Sequence, residues 1–336
     1  MATLAETPLS VLDLSPICEG GTIADSFRNS LDLAQHAEQW GYKRFWLAEH
    51  HGIPGVASAA TSVLIGHVAQ GTHTIRVGSG GIMLPNHPPL VIAEQFGTLA
   101  TLYPDRIDLG LGRAPGSDRA TAHALGRDPT TADSFPEHVQ QLRALLGDAQ
   151  PGQKVKAIPG AGTHVPVWLL GSSTFSAQLA AAMGLPFAFA AHFAPRQMQE
   201  ALHLYRTYYH PSADWPKPHV MVGLPVIAAD TDEEAHRLAT SAQQSVLGLI
   251  RHEPIRVPPP VDTMDGLWDE SEKAAVASFF GAAIIGGPQT VKRKLEEVLA
   301  ATGADEFILN SQFYHHADRL RSYEIVKTIA SEEVVH

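Results

Sequence analysis

Apolar runs of strand length alternate along the chain with stretches whose apolar residues recur at helical spacing. Leu9–Leu14, Phe45–Ala48, Ile75–Leu84 and Ile107–Leu111 read as four strands. A helix between the first two carries Leu31, Ala34, Ala37 and Trp40 on one face, with Asp25 or Ser26 as its expected cap and Gly41 as its stop. Ser58–Gly71, rich in small residues, and Leu90–Tyr103, stopped by Pro104, supply the next two helices. A polar insertion over Ser117–Asp133 interrupts the rhythm, and a helix follows over Pro136–Leu146. Strands are then expected at Val165–Leu170, Pro186–Ala191 and Val220–Ala228. Their helices end at Gly184, span Pro195–Tyr209, and span Asp230–Ile250. Glu253–Ser271 contains too many prolines for a regular helix. Ala283–Pro288 leads into a helix ending at Thr302, before an eighth strand over Glu306–Asn310 and a last helix over Ala317–Ser331.

Alternation of this kind implies parallel strands with right-handed crossovers, and eight units favour closure. The expected fold is α/β, a (β/α)8 TIM barrel forming one domain over residues 1–336, with loop insertions after strands 4 and 7. A doubly wound Rossmann-type sheet is the alternative.

Composition narrows the functional classes. The 336 residues are 44% hydrophobic and 18% charged, as in soluble globular proteins. A net charge of −11 without any extended Lys/Arg cluster argues against nucleic acid or a membrane surface as partner. Cys18 is the single cysteine, so neither a disulfide framework nor a cysteine-based zinc site is expected. The N-terminal residues show no signal-peptide pattern, and a cytoplasmic location is expected.

Chemistry concentrates where the strands end, the usual place for active sites in parallel α/β proteins. The second strand runs out into Glu49-His50-His51, followed by Gly52. Neighbouring strand residues point to opposite faces, so His50 and His51 do not make a metal pair, and no metal site is expected. A strand-end histidine is either structural or a proton-transfer group near neutral pH. Glu49 and His51 are expected to orient the loop. Gly78-Ser79-Gly80-Gly81 either kinks its strand or lets backbone approach a flat ligand. Gly110-Leu111-Gly112-Arg113, with Gly116, has the wrong spacing and position for a dinucleotide fingerprint. Gly171-Ser172-Ser173-Thr174-Phe175-Ser176, between a strand and a helix, is either an ordinary cap or an anion site. His87, His192 and Trp268 fall on loops at the same barrel mouth, with Trp268 a candidate lid. His315-His316 is expected to cap or solvate the last helix.

The stretch IRVGSGGIMLPNHPPLVIAEQFGTLATLYPDRIDLGLGRA, together with WLAEHHG, resembles the bacterial luciferase-like flavin monooxygenases, in their non-luminous single-chain branch. VWLLGSSTFSAQLAAAMGLP and IIGGPQTVKRKL fall where that family has corresponding segments. The resemblance implies a (β/α)8 barrel using reduced FMN as co-substrate, with a flavin hydroperoxide that oxygenates a small organic molecule. It matches His50 to an active-site histidine, the expected general base. It sets Gly80 and Gly81 against the isoalloxazine across a cis peptide, although a Gly-Gly bulge remains open. It places Arg113, Ser173 and Ser176, with Ser172 in the same turn, around the FMN phosphate. Gly112 stands where luminous relatives carry a bulkier side chain, implying extra room and a different substrate. Gly286-Gly287-Pro288 replaces the family's hydroxyl-bearing turn and reads as structural. The implied partners are molecular oxygen, a small-molecule substrate, a separate flavin reductase and a second copy, through the helix around Ala57–Ala69. Two rivals stay open: deazaflavin-dependent hydride transfer, and a flavin-binding accessory protein.

Overall fold

The computed structural model describes residues 2–114, 119–126, 134–191 and 197–331. Among the described residues nine strands form: β1 (Leu9–Asp13), β2 (Arg44–Leu47), β3 (Arg76–Met83), β4 (Ile107–Gly112), β5 (Val167–Gly171), β6 (Phe187–Ala190), β7 (Val220–Ala228), β8 (Ile284–Gly286) and β9 (Glu306–Asn310). Strands β1 to β7 pair in sequence, all parallel, and β9 closes the ring between β7 and β1. The closed eight-stranded parallel barrel is therefore present. β8 is an additional strand at 284–286, where only a lead into the next helix is expected, with Gly286-Gly287-Pro288 as its turn. While the first half of β7 pairs with β9 from Met221 to Pro225, its last residues Val226–Ala228 pair with β8 outside the ring. Three residues lie below the length at which periodicity can identify a strand.

Helices wrap the barrel: α1 (Ile23–Trp40), α2 (Thr61–Gln70), α3 (Pro89–Leu102), α4 (Arg119–Ala124), α5 (Phe135–Leu146), α6 (Thr174–Met183), α7 (Met198–Thr207), α8 (Asp232–Ile250), α9 (Glu270–Phe279), α10 (Pro288–Thr302) and α11 (His316–Ser331). Thr22, rather than Asp25 or Ser26, caps α1; Asp25 is the reciprocal third residue of a capping box, so its acidic signal lies inside the helix. A second capping box, Asp269 with Glu272, starts α9 immediately after the proline-rich segment. Pro288 is the first residue of α10, as expected. His316 begins α11 and donates from Nε2 to Asp32 at 2.8 Å.

Strand side chains alternate between two cores, as a period of two requires. Val11, Phe45, Leu47, Leu109, Val167, Phe187 and Phe307 face outward and pack in the main cluster with the helices. Their neighbours Leu12, Trp46, Trp168, Ala188, Met221 and Ile308 form a separate cluster filling the barrel. Below this plug, Arg44 donates to Glu306 at 2.9 Å and to Asp108 at 2.6 Å. Arg76 and the Trp46 indole also donate to Asp108, and Lys43 pairs with Glu306 at 3.1 Å. Burial works against the Glu306 carboxylate, but His219, Arg44, Lys43 and Ser10 overcome it and hold the group at a pKa of about 2. No helix among the described residues is long and apolar enough to cross a membrane.

Candidate active site

At the opposite end, the carboxyl ends of the strands open onto one cavity of about 500 Å³. Past the end of β2 the alternation that turns Arg44 and Trp46 into the barrel gives way, and consecutive residues reach the cavity. His50, half-buried, and buried Glu49 both line the cavity. Each Glu49 oxygen is occupied: Oε1 accepts from His51 Nε2 and His87 Nε2, each at 2.8 Å, and Oε2 accepts from the Met83 amide at 2.9 Å. Burial alone would raise the Glu49 carboxyl; these donors outweigh it and bring the group below the usual carboxylate range. His51 and His87 do not line the cavity. His87 thus holds Glu49 in place instead of meeting a ligand.

The Gly80–Gly81 peptide is cis, and the β3–β4 register shifts between Ser79 and Ile82. Both glycines line the cavity, and both are also demanded by the barrel itself. A Cβ on Gly80 would lie 2.6 Å from Leu12 Cδ1, and one on Gly81 would lie 2.8 Å from the Gly110 carbonyl oxygen. The kink and the close approach are one feature. Gly112 is different: a Cβ there would meet only the Ile82 carbonyl, at 3.9 Å, so the extra room expected beside it is present.

Arg113 and Ser172, Ser173 and Ser176 line the same side of the cavity. Ser173 occupies the N-cap of α6, yet its hydroxyl does not cap the helix. Gly171 comes so close to Ser176 that a Cβ would collide with the serine side chain. The Arg113 guanidinium lies 4.2 Å from the centre of the Phe175 ring, on the first turn of α6. Unsatisfied helix-end amides, hydroxyls and a guanidinium make an arrangement suited to a phosphate.

The other side is walled by residues the sequence reading left out. Val246 and Leu249 from α8, Ile255, and Phe279 and Phe280 at the end of α9 line it, with Asn310 and Gln312 near β9. Inward alternation from Glu306 through Ile308 points to Asn310, a signal available in the sequence. Trp268 is not among the residues lining this space; half-buried, it packs against the cluster of Val246, Leu247, Met264 and Val276. His192 lies outside the described residues. Three mouth segments are zipped together by main-chain bonds: Ile17 donates to Gly55 and Val257 to Ile17, both at 2.9 Å. Among the described residues no grouping of His, Cys, Asp and Glu could hold a metal ion.

A parallel eight-stranded barrel with its cavity at the carboxyl ends, an anion-suited wall and a histidine opposite defines a class of barrel enzymes. Residues 8–306 match the family model described as luciferase-like monooxygenase. The chain belongs to that family and is an oxidoreductase. It is 58% identical over 325 residues to the protein YvbT of Bacillus subtilis (strain 168), covering 96% of this chain and 97% of that one. It is 51% identical over 324 residues to a luciferase-like monooxygenase of Escherichia coli (strain K12), with 96% and 97% coverage. Among solved structures, apo-MsnO8 superposes with a TM-score of 0.90 at 36% identity, covering 96% of this chain and 98% of that one. The fold is shared at lower identity by an FMN complex of the oxygenating constituent of 3,6-diketocamphane monooxygenase from Pseudomonas putida (TM-score 0.73, 16% identity). It is shared equally by an F420-dependent secondary alcohol dehydrogenase (TM-score 0.70, 14% identity). The fold thus hosts both flavin and deazaflavin enzymes.

Proposed function

We propose that the protein is a monooxygenase that uses reduced FMN and molecular oxygen to oxygenate a small organic substrate. The observation that carries this reading is the wall formed by Arg113, Ser172, Ser173 and Ser176. Among the described residues, none of the three hydroxyls has a hydrogen-bond partner, and no side chain caps α6. These groups fit the FMN phosphate, and Gly80, Gly81 and open Gly112 leave a flat surface for its ring system. Reduced FMN, when bound, supplies the two electrons that activate oxygen. Arg113 and the α6 amides bind and orient the phosphate. His50 exchanges a proton with the reacting centre through its imidazole. Fixed by three donors, Glu49 keeps its charge and anchors the loop that carries His50. The apolar walls exclude water.

A separate reductase supplies the reduced flavin, in a cytoplasmic setting that suits a single free cysteine. A homodimer through α2 and α3 would cover Val63 and Leu102, which are 70% and 63% exposed.

The test is an FMN titration followed by rapid mixing of the reduced complex with oxygenated buffer. FMN binds, Arg113→Ala weakens it roughly tenfold or more, and a transient absorbing species precedes oxidised FMN. Oxidation at the rate of free reduced FMN would sink the oxygenase reading. Tight binding of a deazaflavin in place of FMN would move the protein to the hydride-transfer branch. FMN binding with no turnover in a broad substrate screen would leave the accessory role.

A further inference from the structure

Charge is unevenly distributed over the cavity wall. Among the described lining residues the ionisable side chains are Glu49, His50 and Arg113. Arg113 stacks on Phe175 at the α6 end, and the Glu49 oxygens are already taken by His51, His87 and Met83. One stretch of the wall, drawn from α8, α9 and the segment between them, is Val246, Leu249, Ile255, Phe279 and Phe280. Polar groups there are neutral. Asn310 Oδ1 is buried with no hydrogen-bond partner among the described residues, and Gln312 Nε2 reaches Ser245 Oγ at 3.4 Å.

We infer that this lobe binds an uncharged substrate with an apolar body, and that Leu249 and Phe279 enforce its selection against anions. The inference rests on the flavin reading for which lobe is left to the substrate. A carboxylate or sulfonate in the lobe would lose part of its hydration and meet no cation among the described lining residues of that stretch, and the Glu49 charge on the same cavity would repel it. A single neutral polar group on the substrate has Asn310 and Gln312 to meet. The backbone behind Ile255 is closely packed. A Cβ on Gly55 would lie 2.7 Å from the Ile255 carbonyl oxygen, and Val257 is bonded to Ile17 through the backbone.

The experiment uses the flavin-free full chain and a neutral fluorescent probe, N-phenyl-1-naphthylamine, displaced by 1-octanol or by octanoate. Octanol displaces the probe about tenfold or more better than octanoate. Leu249 and Phe279 are 44% and 37% exposed, so Leu249→Lys and Phe279→Lys are compatible with folding. Each variant shifts the preference toward octanoate by about tenfold. Equal displacement by the two ligands in the wild type overturns the inference, as does failure of the probe to bind, or an unchanged preference in both variants. FMN is titrated on the same samples. Loss of the octanol preference with FMN binding intact sinks this inference alone; an intact preference without FMN binding sinks the flavin reading alone.

Discussion

At the amino ends of the strands, Arg44, Asp108 and Glu306 are buried together, and each charge faces an opposite one at hydrogen-bond distance. At the carboxyl ends, Ser172, Ser173, Ser176 and Arg113 face a cavity, and the buried Asn310 oxygen has no partner among the described residues. The two regions are built on the same strands, separated by one layer that contains Trp46 and Trp168. Below that layer the buried charges are paired within the protein; above it several polar groups retain capacity for a ligand. Stability should therefore depend on the floor and binding on the mouth.

Arg44→Met is the largest expected break. It leaves Asp108 and Glu306 buried with a shared cation removed, and a loss of about 3–5 kcal/mol in denaturant-monitored stability is expected. A loss below about 1 kcal/mol would mean that water or Lys43 and Arg76 take over the role.

Acid should act next, through the same floor. Glu306 falls from 4.5 to about 2 on folding, so its contribution is complete above pH 4.5 and disappears as pH falls through 2. That shift corresponds to about 3 kcal/mol. Stability measured against pH should decline steeply in this window for the wild type and more gently for Glu306→Gln. Parallel curves would refute the assignment.

The smallest effect sharpens the contrast within the mouth. Gly81→Ala drives a methyl into the backbone of β4 and should destabilise by about 1–3 kcal/mol. Gly112→Ala projects into open space and should change stability by less than about 0.5 kcal/mol. Thermal melts of the two variants decide it, and similar melting temperatures would show that neither position is limited by packing.

Much of this was legible in the sequence because strand alternation is a local property of the backbone. Apolar runs of strand length located all eight barrel strands and placed Glu49-His50-His51 at the end of β2, and a period of two separated His50 from His51. Helix signals were legible too, although Thr22 in place of Asp25 or Ser26 shows that a cap is decided within one turn, by which hydroxyl reaches the third amide. Partnerships across the fold were not legible. Glu49 takes its hydrogen bonds from Met83 and His87, 34 and 38 positions away, and Arg44 meets Glu306 across 262 positions. No local pattern encodes such distances; closure of the barrel brings them together. The packing of Trp268, the short β8 pairing and an Asn310 oxygen with no partner among the described residues arise the same way. The sequence alone determined which residues point inward at each strand end. Only the tertiary structure decided which of those find partners in the protein, because that depends on what the other strands bring to the same level of the barrel.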